Sequence, residues 1–226
     1  MHIPDGILPL SVGLAGYGLA ALGTGYALHK IRQKEDPRSD VPKAALFTAA
    51  FFVASLIHIP IPPTSVHLIL GGLMGVVLGF YAMPAIVIGL FFQAAMFQHG
   101  GLTTLGINAC LVGIPALLSH FLFNLRHQRD WSNKPVVVTT LSFLGGSLGV
   151  LLTTIMATFL LLSMLPAHLD HDVARTGIYV MAFSHLPLAL IEGIITAMVV
   201  TFLLRVKPEL LKSETNHVKS DSHIDM

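Results

Sequence analysis

Ala44-Ala-Leu-Phe-Thr-Ala-Ala-Phe-Phe-Val-Ala-Ser-Leu-Ile57 opens a tract that continues to Leu125, 82 residues without one Asp, Glu, Lys or Arg. A water-soluble domain does not present so long a stretch without a charge. Within the tract, His58-Ile-Pro-Ile-Pro-Pro-Thr-Ser65 cannot continue a helix, Pro84 follows a Gly-rich run, and His99-Gly-Gly-Leu-Thr-Thr-Leu-Gly106 reads as a turn-rich loop. These breaks divide the tract into four apolar spans, near residues 44–57, 66–80, 84–97 and 109–125. The shorter ones fall below the 20 or so residues of a full crossing, so some helix ends are expected below the membrane surface, lining a cavity.

Working outward, Ile7 to Leu28 is an uncharged run of 22 residues, long enough to cross a hydrocarbon core of about 30 Å. A solvated loop, His29 to Lys43, separates it from the central tract. A polar break from Arg126 to Lys134 precedes a sixth span, Pro135 to Leu165, and a second break, Pro166 to Thr176, precedes a seventh, Gly177 to Leu204. The reading is one transmembrane domain, residues 1–204, and a mobile polar cytoplasmic tail, residues 205–226.

Lys and Arg in short loops stay on the cytoplasmic side. With seven spans, 12 of the 13 Lys and Arg residues fall on one face and Arg175 alone on the other. The sequence therefore predicts an all-α integral membrane protein with seven transmembrane helices, its N-terminus outside and its C-terminus cytoplasmic.

Composition agrees: of 226 residues, 54% are hydrophobic and 11% charged, against about 25% charged in a typical soluble domain. A net charge of +1 supplies no basic field, which excludes a nucleic-acid partner. Cys110 is the single cysteine, so no intramolecular disulfide forms, and packing is its expected use. No cation precedes the first apolar run, which is also too long for a signal peptide, so Met1 is expected to be the mature first residue.

Gly71, Gly75 and Gly79 repeat every four residues, a spacing that admits a close helix neighbour within the bundle. Ala45 with Ala49, and Ala50 with Ala54, make a similar surface for packing or for a partner helix.

The chain holds 12 histidines, of which His2, His58, His67, His99, His168 and His171 fall on the predicted outer side. Imidazole suits nickel, copper, zinc and iron(II), and an outward-facing group of histidines points to metal capture. His2 is distinctive. A free N-terminal amine, the backbone nitrogen of residue 2 and the imidazole of residue 2 chelate one metal through a five- and a six-membered ring. Pro4-Asp5-Gly6 supplies a turn that folds the terminus back onto the spans. Asp5 itself reads first as a cap of the first helix. The three nitrogens leave a square-planar ion one ligand short, and His67, after the Pro-rich loop, is the candidate for the fourth. Four nitrogens in a plane suit nickel(II) or copper(II) better than zinc. Within the spans, His185 and Glu192 lie seven residues apart on one helix face, and an intramembrane carboxylate is a functional candidate.

The sequence resembles the substrate-capture (S) components of energy-coupling-factor (ECF) cobalt and nickel importers, the CbiM/NikM type. The resemblance spans residues 1–204. It rests on Met1-His2-Ile3-Pro4-Asp5-Gly6, on Pro60-Ile-Pro-Pro-Thr-Ser-Val-His67, on Gly100-Gly-Leu-Thr-Thr-Leu-Gly-Ile-Asn108, and on His185-Leu-Pro-Leu-Ala-Leu-Ile-Glu-Gly193. It implies a seven-helix fold in the prokaryotic cytoplasmic membrane, with the N-terminus plugged into the bundle. Its implied metal ligands are the amine of Met1, the backbone and imidazole nitrogens of His2, and the imidazole of His67. Nickel(II) or cobalt(II) is then the transported substrate, with no organic cofactor. The implied partners are a transmembrane coupling (T) subunit, two cytoplasmic ATPase subunits, a small membrane accessory protein and membrane lipid. Asp5, His58, His99, Asn108, His185 and Glu192 are supporting candidates. Two positions depart from the family's pattern: Pro62-Pro63, where many relatives carry glycines, and His99, where many carry an acidic residue.

Two other classes compete. An intramembrane metalloenzyme would want a paired-ligand helix motif such as His-Glu-x-x-His, which the sequence lacks. A self-sufficient cation channel or carrier would want several ionisable groups along a path, and Glu192 is the only acidic residue in the spans. The chain also has no phosphate-binding loop of the Gly-x-x-x-x-Gly-Lys-Ser/Thr type, so the ATPase is not on it.

Overall fold

The computed structural model describes residues 2–57, 59–61, 64–128, 134–165 and 170–211. Met1, His58 and His168, named above, lie outside the described residues, as does most of the expected tail. Seven α-helices form among the described residues: α1 (Leu10–Arg32), α2 (Val41–Ala54), α3 (Gly71–Leu78), α4 (Ala82–Phe97), α5 (Leu105–Gln128), α6 (Pro135–Ser163) and α7 (His171–Val206).

The Pro-rich loop carries structure that its composition did not announce. Strands β1 (Ile59–Ile61) and β2 (Thr64–Val66) pair antiparallel, Ile59 opposite Val66 and Ile61 opposite Thr64. A residue that precedes proline is pushed to extended backbone, and Ile59 and Ile61 both do so, which favours a short hairpin where a helix is forbidden.

Four helical stretches among the described residues are long and apolar enough to cross a membrane: Gly71–Phe97, Leu105–His127, Pro135–Ser163 and His171–Val206. Helix α1 matches them in length but is diluted by Gly13, Gly16, Tyr17, Gly18, Gly23 and Tyr26, and α2 is apolar but has only 14 residues. The stretch Gly71–Phe97 is not straight. Gly79, at φ +60°, ends α3, and a three-residue 3-10 turn leads into α4. The hydroxyl of Tyr81 in that turn donates to the carbonyl of Pro37, 2.7 Å away, in the loop between α1 and α2. His67 before α3 and His99 after α4 nevertheless meet. The chain therefore descends through α3, turns at Gly79 and returns through α4.

Helix α3 is buried along all eight of its residues, so its neighbours must approach closely. A side-chain carbon at Gly71 would press on Val112, one at Gly75 would collide with the backbone carbonyl of Ala116, and one at Gly79 would press on the ring of His120. The four-residue glycine repeat is the contact of α3 with α5. Gly72 likewise lies against Gly145 and Gly146 of α6. Ala45 and Ala49 are exposed and edge an apolar groove between α2 and α4 with Thr48, Phe52, Ile88 and Phe92.

The end of the bundle opposite His67 is tied by charge. Asp40 accepts Lys34 at 2.7 Å and Lys43 at 2.8 Å. Lys43 also donates to the carbonyl of Leu210 at 2.9 Å, and the buried Arg126 donates to the carbonyl of Leu211 at 2.6 Å. The first residues of the expected mobile tail are thus docked: α7 runs to Val206, and Pro208–Leu211 forms a 3-10 turn with Leu211 buried. Two cationic side chains reaching backbone carbonyls are what fix it.

Candidate metal centre

The segment from Ile3 to Gly6 has no helix or strand of its own to satisfy its backbone, and it borrows partners from the start of α5. Ile3 N–H donates to Asn108 Oδ1 at 2.9 Å, while the Ile3 carbonyl accepts from Asn108 Nδ2 at 3.0 Å and from Thr104 Oγ1 at 2.6 Å. Ile3 is itself buried, packed against Ile107 and Leu111 of α5. The Asp5 carboxylate accepts from the backbone N–H groups of Leu102 at 3.1 Å and Thr103 at 2.8 Å, and from the Thr103 hydroxyl. Those bonds, the Thr103 side chain first, hold Asp5 below the usual carboxylate range. This corrects the reading of Asp5 as a cap of the first helix: α1 begins after Pro9 with no side-chain cap. Asp5 serves the unpaired N–H groups just ahead of α5 instead, where an anion is favoured.

With the terminus tied down, His2 is set against the loop after α4. Gly100, at φ +86°, leaves no room for a side chain there: a carbon at that position would lie 3.2 Å from His2 Cβ and 3.3 Å from Asn108 Nδ2. Three imidazoles then converge. His2, His67 and His99 each offer one ring nitrogen, and these three atoms lie within 4.8 Å of one another. The ring centroids are 5.2 Å apart for His2 and His67, 4.8 Å for His2 and His99, and 4.7 Å for His67 and His99. His67 Nδ1 faces the carbonyl of Leu68 at 3.0 Å, which fixes its proton there and turns Nε2 toward His99 Nε2, 3.2 Å away.

The cluster is shielded from solvent. His67 is 2% exposed, and both ring nitrogens of His2 are covered with no hydrogen-bond partner among the described residues, although His2 as a whole is half-buried. Burial pushes the His2 imidazole well below the ordinary histidine range, and the neighbouring imidazoles lower it further. A neutral imidazole has its lone pair ready for a metal. Gln93 of α4 adds a polar group that the sequence reading missed. It is fully buried, and its amide lies beside the His2 ring. One glutamine inside an apolar helix gives no pattern to find.

The remaining candidates separate by position. Glu192 of α7 is fully buried and accepts the backbone N–H groups of Ile69 and of Leu70, the latter at 2.9 Å. It thereby satisfies the unpaired donors at the buried start of α3, where Leu70 takes a left-handed conformation, φ +53°. A helix end does lie inside the protein here, and a carboxylate from another helix makes that possible. His185 shares the buried face of α7 but bonds its own helix, Nδ1 to the Met181 carbonyl at 2.7 Å, and lines a separate apolar pocket with Thr154, Thr158 and Phe159. It does not join the imidazole cluster.

Known proteins resemble this chain along nearly its whole length. Residues 2–210 match the model of the CbiM family, described as the cobalt uptake substrate-specific transmembrane region. A protein of Haemophilus influenzae whose name assigns it to metal transport is 34% identical over 96% of this chain and 99% of its own. A protein of Archaeoglobus fulgidus, named as a fused nickel transport protein, is 30% identical over 95% of this chain and 69% of its own. The crystal structure of a transition metal transporter superimposes with a TM-score of 0.72 at 27% identity, covering 91% of this chain and 93% of that one. With its apolar helices and its buried imidazole cluster, the chain belongs to the CbiM family of membrane proteins for cobalt and nickel transport.

Proposed function

We propose that the protein is the substrate-capture subunit of an ATP-driven importer of the ECF type, binding nickel(II) or cobalt(II) on the outer face of the prokaryotic cytoplasmic membrane. The observation that carries this reading is the convergence of His2 and His67, 65 residues apart in sequence, around one volume lined with ring nitrogens. Their supports come from three different helices: Asn108 of α5 holds the terminus, Glu192 of α7 holds the segment after His67, and α4 delivers His99. The amine of Met1, the backbone and imidazole nitrogens of His2 and the imidazole of His67 bind the ion. The chain makes seven passes, in which the short α3 is completed by the non-helical segment before Gly71, with the N-terminus outside and the C-terminus in the cytoplasm, so that the imidazole cluster faces the exterior and the Lys- and Arg-rich end faces the ATPases.

Energy comes from partners, because the sequence carries no phosphate-binding loop. A transmembrane coupling subunit and two cytoplasmic ATPases supply it, with a small membrane protein as accessory. Nickel and cobalt remain paired as the substrate, since affinity alone favours nickel in either case and supply decides which ion is taken.

The test is metal analysis and calorimetric titration of the purified chain, followed by reconstitution into liposomes with and without partners. One nickel or cobalt per chain, with ATP-dependent uptake only when the partners are present, is the expected result. Uptake driven by ATP in liposomes that hold this chain alone would overturn the subunit reading, and failure to bind either metal would overturn capture.

A further inference from the structure

The four-nitrogen set of Met1, His2 and His67 is planar in the simplest case, and a planar set leaves both faces of the ion open. The structure sets a third imidazole, that of His99, beside those of His2 and His67. We infer that His99 is a direct ligand of the captured ion, raising its coordination number above four and shifting the site from planar nickel toward ions that accept five or six donors, cobalt(II) above all. This rests on the capture reading above and goes past it in naming a ligand and the coordination class that it selects.

Two observations carry the inference. The first is distance: His99 Nε2 lies 3.2 Å from His67 Nε2. Two nitrogens each about 2.1 Å from one ion and that far apart subtend an angle of about 100° at it, the angle of neighbouring ligands in a single coordination sphere. The ring planes of His99 and His67 stand at 75°, and those of His99 and His2 at 75°. The second observation is the polar group beside the cluster. Gln93, five residues before Gln98 and on the helix that delivers His99, is fully buried with its side chain against the His2 imidazole. The cluster therefore holds a further polar side chain beside its three imidazoles.

Helix α4 is built to aim His99 into the cluster. Gln98 takes the left-handed conformation, φ +52°, and the His99 backbone N–H returns to the Gln93 carbonyl at 3.1 Å, closing the helix end so that the chain turns sharply at residue 99. A non-glycine residue in that conformation is uncommon, and here it sets the direction of a side chain.

The spin state of bound nickel reports the answer. A d8 nickel(II) ion with four nitrogens in a plane is diamagnetic and yellow; an added axial nitrogen makes it paramagnetic and weakly coloured. The native protein loaded with nickel is expected to be paramagnetic. His99→Phe keeps a ring of similar size without a donor, and His99→Ala removes the ring; both should retain nickel yet turn it diamagnetic, and both should weaken cobalt(II) binding by about 10-fold or more. Diamagnetic nickel in the native protein, or paramagnetic nickel in both the native protein and His99→Phe, would overturn the role of His99 while leaving capture by His2 and His67 standing. Absence of nickel binding in the native protein would overturn capture and this inference together.

Discussion

Glu192 Oε2 lies 2.9 Å from the backbone nitrogen of Leu70, and its other oxygen takes the N–H of Ile69, so a single carboxylate of α7 fixes the chain two and three residues beyond His67. Glu192→Gln retains one acceptor oxygen and turns an NH2 group toward the second N–H. One donor at the start of α3 then loses its partner in a water-free environment, a cost of about 1 to 3 kcal/mol. The expected outcome is a lower unfolding temperature in detergent together with weaker metal binding, because the segment bearing His67 loosens. A variant with native metal affinity by calorimetry would show that Glu192 acts on folding alone.

This carboxylate also marks where sequence reading stops. Glu192 stood out as an acid within an apolar helix, yet its partners are 122 and 123 residues away and are backbone groups, which no side-chain pattern records. His2 and His67 were legible because their chemistry depends on local facts: position 2 of the chain, and a proline-rich break before a helix. His99 was named, but its convergence on the other two depends on the reversal at Gly79, and a conformation at φ +60° is not written in an isolated glycine. Apolar membrane helices are legible from charge and proline alone, while the span expected near residues 66–80 holds an α3 of only eight residues, because the chain before Gly71 is not helical and Glu192 takes the N–H groups of Ile69 and Leu70.

Gly75 and Gly18 offer a paired test of the packing. A side chain at Gly75 would strike the backbone carbonyl of Ala116, which cannot swing away, whereas nothing lies within 4 Å of the corresponding position at Gly18. Gly75→Ala should destabilise the protein by about 1 to 3 kcal/mol, and Gly18→Ala should be neutral or slightly stabilising. Thermal unfolding of both variants in the same detergent checks this, and equal melting temperatures would count against α3 and α5 being in contact at Gly75.

Asn108 tests the tether of the N-terminus. Its amide both accepts from the Ile3 N–H and donates to the Ile3 carbonyl, a pairing that no other side chain of similar size reproduces. Asn108→Leu leaves both Ile3 groups dependent on Thr104 or on water. Metal affinity should fall about 10- to 100-fold, the range seen when groups that orient metal ligands are lost, while the helical circular-dichroism signal should be unchanged. Asn108→Asp should fall between the two, because it keeps the acceptor but sets a carboxylate against the Ile3 carbonyl.

The sharpest test is of the N-terminus itself, and pH separates its contributors. Burial holds His2 well below the ordinary histidine range, so its imidazole is already neutral near pH 7 and gives up no proton when a metal arrives. The amine, with a reference pKa of about 7.7 to 8.0, is mostly protonated there and must lose its proton to bind. Metal binding near pH 7 should therefore release about one proton from the amine, with a further one where the backbone nitrogen of His2 binds as an anion. Affinity should weaken as pH falls below about 8, following the amine. Adding one residue ahead of Met1 moves His2 to position 3 and breaks the paired five- and six-membered rings, while every helix remains as it was. The extended protein should express and fold normally, lose most of its affinity for nickel, and lose the pH dependence that belongs to the amine. Calorimetric titration in two buffers of different ionisation enthalpy measures affinity and proton release together. Equal affinity and equal proton release for the native and extended proteins would remove the amine from the ligand set and leave His2, His67 and His99 to hold the ion through side chains alone.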